Sequence, residues 1–215
     1  LKLIKIFYIV LDFIRSFTDK KYKEFSMKVD KLKNFSKRGE NTINRGRNIF
    51  IMGFSEYNTI LLQTTQIISI NQLGYRIIVI LSSPNQVIEK MYRKLGVSSF
   101  IYYYEFLNRE LHKSLFKIFK KNITQDHFLE LKYKDVEVGK ISTSTLMRKN
   151  LVSRFDIDGT DFYLVTEALS QSMFFSDFAE EIIKKYKPVM VCFMDRGYSP
   201  EGEIFNFAIL NKIPT

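Results

Sequence analysis

Apolar residues at Leu3, Phe7, Val10, Leu11, Ile14 and Phe17 recur at helical spacing, with Lys2, Lys5, Asp12, Arg15 and Lys20 around the rest of the wheel. The spacing predicts an amphipathic helix. Through residues 20–47, Phe25, Met27, Val29, Leu32 and Phe35 stand among Lys and Arg, which continues a basic helix until Gly39 and Gly46 loosen it. Two readings of this arm stand side by side: a helix packed on its own domain with a solvated Lys face, or a basic helix lying on an anionic membrane surface.

Past Arg47 the period changes to apolar run, turn and helix. Asn48-Ile49-Phe50-Ile51-Met52 reads as a strand closed by Gly53, and residues 57–73 as a helix ended by Gly74. The unbroken, β-branched run at residues 75–81 predicts a second strand, followed by Ser82-Ser83-Pro84 and a helix over 85–95 stopped by Gly96. A third strand over 99–104 leads to a helix from about 106 to 121. Residues 122–133 read as a loop with a short strand at Phe128-Leu129-Glu130-Leu131. Helices are expected over 139–151 and 159–186, then a continuous apolar strand, Val189-Met190-Val191-Cys192-Phe193-Met194, after Lys187-Pro188. Strand-helix units in succession imply a Rossmann-like α/β fold, a parallel sheet flanked by helices over residues 47–215, preceded by the basic helical arm of residues 1–46.

The 46% apolar content supports a full core. The formal charge of +10 is uneven: residues 1–47 hold 13 Lys and Arg against 5 Asp and Glu, leaving 20 against 18 for the rest. The basic character therefore belongs to the arm, and on the second of its two readings the partner is an anionic membrane surface. Nucleic acid is not expected, because Tyr102-Tyr103-Tyr104 belongs to a strand and the basic residues lie elsewhere. No apolar run reaches the roughly 18 to 20 residues that span a bilayer, and no secretory cleavage site follows the opening stretch. The expectation is a cytoplasmic chain, peripheral at the inner face of the membrane. Cys192, the single cysteine, sits in an apolar run and reads as a small buried hydrophobe.

Ligands of open α/β sheets bind beyond the carboxyl ends of the strands, so the loops there carry the candidate chemistry. Asp195-Arg196-Gly197-Tyr198 leaves the last strand, and Ser199-Pro200-Glu201-Gly202-Glu203 opens a helix with Ser199 as its expected cap and two acids in its first turn. Helix capping accounts for Ser199 and Pro200 and for most of Glu201, but not for three polar groups, Asp195, Arg196 and Tyr198, at the mouth of a buried strand. Gly53 and Ser55, after the first strand, sit at the corresponding edge. One Gly there meets neither the dinucleotide fingerprint nor the P-loop spacing, which argues against a nicotinamide enzyme or an ATPase. Phe155-Asp156-Ile157-Asp158-Gly159-Thr160 mimics a phosphatase nucleophile motif but lacks a buried strand before it and a later acidic pair. Asp158 or Thr160 is expected to cap the next helix. His112 and His127 have no ligand-spaced partners, so they are expected to be structural or solvated, and no metal is expected.

The run from Val138-Gly139-Lys140-Ile141 through Met147-Arg148, with Tyr186-Lys187-Pro188, the 195–203 segment and Asn211-Lys212-Ile213-Pro214, resembles the N-terminal half of bacterial surface and capsule polysaccharide glycosyltransferases of the two-domain B-type fold. The resemblance implies an acceptor-side domain. In such enzymes the nucleotide-sugar, the donor substrate in place of a cofactor, is bound mainly by a second domain, which the resemblance would put beyond Thr215; without it the isolated chain is expected to be inactive. It implies transfer of a sugar to a glycan or lipid-linked acceptor, with Asp195 and Glu201 as alternative general bases and Gly53, Ser55, Arg196, Gly197, Tyr198 and Ser199 contacting substrate. The competing reading is a non-catalytic α/β module that binds a nucleotide or a partner and carries the basic arm.

Overall fold

A computed structural model describes residues 20–35, 46–106, 112, 115, 125–150, 155–156, 159 and 161–215. The amphipathic segment expected over 1–17, most of the helix expected over 106–121, and Asp158 and Thr160 lie outside these residues. The fold is α/β and Rossmann-like, and the chain divides into two compact units, Leu1–Tyr102 and Tyr103–Thr215.

In the first unit, β1 (Asn48–Met52), β2 (Arg76–Leu81) and β3 (Ser99–Tyr102) run parallel in the order β3-β2-β1. Asn48 pairs with Arg76 and Met52 with Ile80, while Ile78 meets Ser99 and Leu81 meets Tyr102. Ile49 to Met52 and Ile77 to Leu81 are all buried, the signature of strands covered on both faces. Gly53 is needed for packing here: a Cβ would stand 2.4 Å from Val79 Cγ1 and 2.7 Å from Leu81 Cδ2. Between the strands run α2 (Tyr57–Gln72) and α3 (Gln86–Lys94). Asn85 caps α3, its Oδ1 accepting the Val87 and Ile88 N–H groups at 3.0 and 3.2 Å. Gly96, at φ +101°, ends that helix.

The described part of the arm is α1 (Lys20–Phe35), which packs against α2 and α3. Phe25 and Val29 are fully buried there, and Lys94 Nζ on α3 lies 2.7 Å from Asp30. A buried polar chain locks this unit together. The Tyr92 hydroxyl on α3 donates to Gln63 Oε1 at 2.7 Å and accepts the Phe54 N–H at 2.8 Å, and Gln63 Nε2 donates to the Met52 carbonyl at 2.8 Å.

The second unit holds α4 (Gln125–Leu129), α5 (Val138–Asn150), α6 (Phe162–Tyr186), β4 (Met190–Cys192) and α7 (Glu201–Leu210), with α6 packed on both α5 and α7. The short strand expected at Phe128–Leu131 is instead the end of a helix. Phe128 is buried, and a Cβ at Gly139 would meet its carbonyl oxygen at 1.9 Å, so close helix contact rather than strand pairing decides this segment. The strand expected over 189–194 is shorter, because Met190 and Met194 are exposed and only Val191 is fully enclosed. α6 stops at Lys187, in the left-handed region at φ +46°, with Pro188 next.

Candidate functional site

In the second unit, the loop between β4 and α7 brings together Asp195, Arg196, Gly197, Tyr198, Ser199 and Glu201. Asp195 Oδ1 accepts the N–H groups of Arg196 and Gly197 at 2.7 and 3.1 Å, a turn that the Asp side chain builds around itself. Its Oδ2 accepts Arg148 Nη1 from α5 at 2.9 Å. The Gly197 N–H first, and with it the Arg196 N–H and the Arg148 guanidinium, hold the Asp195 carboxyl below its ordinary range, together outweighing the opposing effect of burial. The Arg148 guanidinium also lies 4.3 Å above the Tyr198 ring, and that of Arg196 5.0 Å from Phe205. Asp195, Arg196 and Gly197 are exposed, while Tyr198, Ser199 and Glu201 are half-buried.

Glu201 differs from Asp195 in its surroundings. Burial first, and then the Asp195 charge, push its carboxyl above the ordinary value, with Arg148 opposing in part. The loop and the first turn of α7 thus carry one carboxyl held towards its ionised form and a second held towards its protonated form.

Ser199 does not cap the helix. α7 begins at Glu201 with Pro200 before it, and the Ser199 hydroxyl donates to the side chain of Glu203 at 2.5 Å. The reason lies in Glu203, which is fully buried and takes a second hydroxyl, Ser172 Oγ of α6, on the same Oε1 at 2.6 Å. Burial pushes Glu203 up to about 7, the Ser172 and Ser199 hydroxyls pulling the other way. Sequence reasoning left out Glu203, Arg148 and Thr145, whose Oγ1 accepts the Ser199 N–H at 3.0 Å. The available signals were spacings: Thr145 and Arg148 share a face of α5, and Ser199 and Glu203 stand four apart.

Gly53 and Ser55 belong to the first unit. Ser55 lines a cleft of about 660 Å³ with Glu24, Lys28, Tyr57 and Met91 among its walls, at the open end of β1. The Glu24–Lys28 pair, 2.7 Å apart, borders it.

His112 is buried and structural. Its Nε2 lies 3.0 Å from Asp177 Oδ2, and Asp177 Oδ1 accepts Tyr133 Oη at 3.1 Å and Lys134 Nζ at 2.7 Å. Burial acts to raise Asp177, but these donors outweigh it and leave its carboxyl lowered. Burial raises the Cys192 thiol, which suits an inert residue, though one half-buried. Among the described residues, no group of three or more His, Cys, Asp or Glu is placed to hold a metal ion, and no helix is long and apolar enough to cross a membrane.

No family model, curated protein or solved structure matches the chain.

Proposed function

We propose that the chain is the acceptor-side domain of a glycosyltransferase of cell-surface polysaccharide biosynthesis, which moves a sugar from a nucleotide-sugar to a glycan or lipid-linked acceptor. The observation that carries this reading is the pair of carboxylates shifted in opposite directions, Asp195 down and Glu201 up, beside an Arg148–Tyr198 stack. Glu201 takes the proton of the acceptor hydroxyl as its oxygen attacks the anomeric carbon and the nucleoside diphosphate leaves. Asp195 stays ionised and orients Arg148, and the Tyr198 ring offers its face away from Arg148 to the C–H face of a sugar. The sequence resemblance, which covers roughly residues 47–215 with its quoted motifs between 138 and 214, points the same way. Lys20, Lys23 and Lys31 on the outer side of α1 are exposed, and this face would meet the anionic inner surface of a membrane carrying a lipid-linked acceptor.

The test is sugar transfer by the encoded protein from a panel of labelled nucleotide-sugars to lipid-linked oligosaccharides. Glu201→Gln should lower kcat by about 100-fold or more, the usual contribution of a general base, and Asp195→Asn by less. Wild-type turnover in both variants would refute the assignment. The cleft beside Ser55 supports a second reading, a non-catalytic module that binds a nucleotide or a partner. That reading gains if nucleotide binds and no transfer follows.

A further inference from the structure

We infer that Glu203 is the positioning residue of the 195–201 mouth: one buried carboxyl oxygen gathers a hydroxyl from α6 and a hydroxyl from the loop, and so fixes where Tyr198 and Glu201 meet a ligand. For its role in transfer this rests on the acceptor-site reading, but its structural readout does not. Asp195, Arg196 and Gly197 are exposed, and the Arg148–Asp195 ion pair that ties them to α5 is solvated and therefore a weak anchor. The anchorage is at Ser199, through its N–H to Thr145 Oγ1 and its hydroxyl to Glu203 Oε1, with the Gly202 N–H closing onto the Tyr198 carbonyl at 2.7 Å. Glu203 is fully buried and is therefore a positioning group that does not touch substrate.

A carboxyl is an expensive filler for such a place, since an apolar side chain of similar size would pack there without desolvation cost. Its Oε2 has no hydrogen-bond partner, so the group is held for what Oε1 does. The groups facing it are the Ser172 hydroxyl from α6, the Ser199 hydroxyl from the loop and, on its own helix, the Glu201 carboxylate, whose charge favours a protonated Glu203. α5 approaches this end of α7 with Ile141 against Gly202, and with Thr145 and Arg148 at the loop. With the proton on Oε2, Oε1 is a carbonyl-type acceptor, which a Gln side chain reproduces.

The test uses the 15N-labelled full chain and follows the amides of residues 195–199 from pH 5 to 8.5, in the wild type, Glu203→Gln, Glu203→Leu and Ser199→Ala. The wild-type loop amides should titrate with a midpoint of about 7. Glu203→Gln should keep their positions at pH 6 and lose that inflection, while Glu203→Leu and Ser199→Ala should displace them. In transfer assays Glu203→Gln should stay within about twofold of wild type, and Ser199→Ala should raise the acceptor KM about tenfold, the scale of a small misplacement. If Glu203→Leu does not fold, Ser199→Ala gives the same readout without touching the core. Loop amides unmoved by Ser199→Ala, or an inflection that survives Glu203→Gln, would overturn the inference. Absence of transfer when the donor domain is supplied, with the amide changes intact, would count against the glycosyltransferase reading alone.

Discussion

Replacing Tyr92 by Phe removes one oxygen atom from the first unit and leaves the ring volume in place. The hydroxyl is enclosed among Gln63, Phe54 and the end of β1, and burial raises its proton affinity far enough to keep it neutral. Its loss leaves the Phe54 N–H and Gln63 Oε1 without their partner at 2.8 and 2.7 Å. Each orphaned buried group costs about 1–3 kcal/mol, and partial access of Phe54 to water lowers its share, so the expected loss is about 2–4 kcal/mol. For a chain of this length that is a drop of roughly 5–15 °C in Tm. The chain has no Trp, so urea unfolding is best followed by circular dichroism, with hydrogen exchange at Phe54 as the local probe. Gln63→Leu supplies a double-mutant cycle. The hydroxyl and the amide should couple by about 1–2 kcal/mol, because the second substitution removes an acceptor that the first has already stranded. A loss under about 0.5 kcal/mol, or additive single effects, would refute the role given to this network.

Two further outcomes concern the second unit. Gly139→Ala sets a methyl 1.9 Å from the Phe128 carbonyl oxygen, a backbone atom that cannot swing aside, so thermal unfolding should show a loss of about 1–3 kcal/mol or more; an unchanged Tm would contradict the α4–α5 contact. Glu203 rises from 4.5 to about 7 on folding, so its stabilisation is complete below pH 4.5 and is lost as pH climbs through 7, by about 3 kcal/mol in total; Glu203→Gln should flatten this part of the stability curve, and parallel curves would disprove it.

The strands β1 and β2 were legible because both their faces are buried, which leaves continuous apolar runs of five or six residues, rich in β-branched side chains and closed by turn signals. α4 was not, since five residues around Phe128 carry no period long enough to separate helix from strand, and a contact with Gly139 decides the matter. The pattern of α1 could not say whether Phe25 and Val29 face lipid or protein; the surfaces of α2 and α3 answer it. At the mouth, the residues adjacent in sequence, 195 to 201, were found together. Arg148 lies 47 positions from Asp195, and Glu203 looks in sequence like an ordinary acid of a first helical turn. Its burial depends on Ser172, on a helix that composition does not connect with it.

The long hydroxyl-rich contact between α5 and α6 bears on how the mouth would accommodate a guest. Ser142, Thr143, Thr145, Thr166 and Ser176 spend their hydroxyls on carbonyls one turn back in their own helices, at 2.5 to 2.9 Å, and across the seam Ser142 reaches the Ala168 carbonyl only at 3.4 Å. α6 and α7, by contrast, are riveted through Ser172 and Glu203. Among the described residues the α5–α6 seam thus has one long hydroxyl bond where the α6–α7 contact has a short one. The 195–201 loop has two supports, α5 through Thr145 and Arg148 and the α6–α7 pair through Glu203, and a guest there would meet a loop held from both sides.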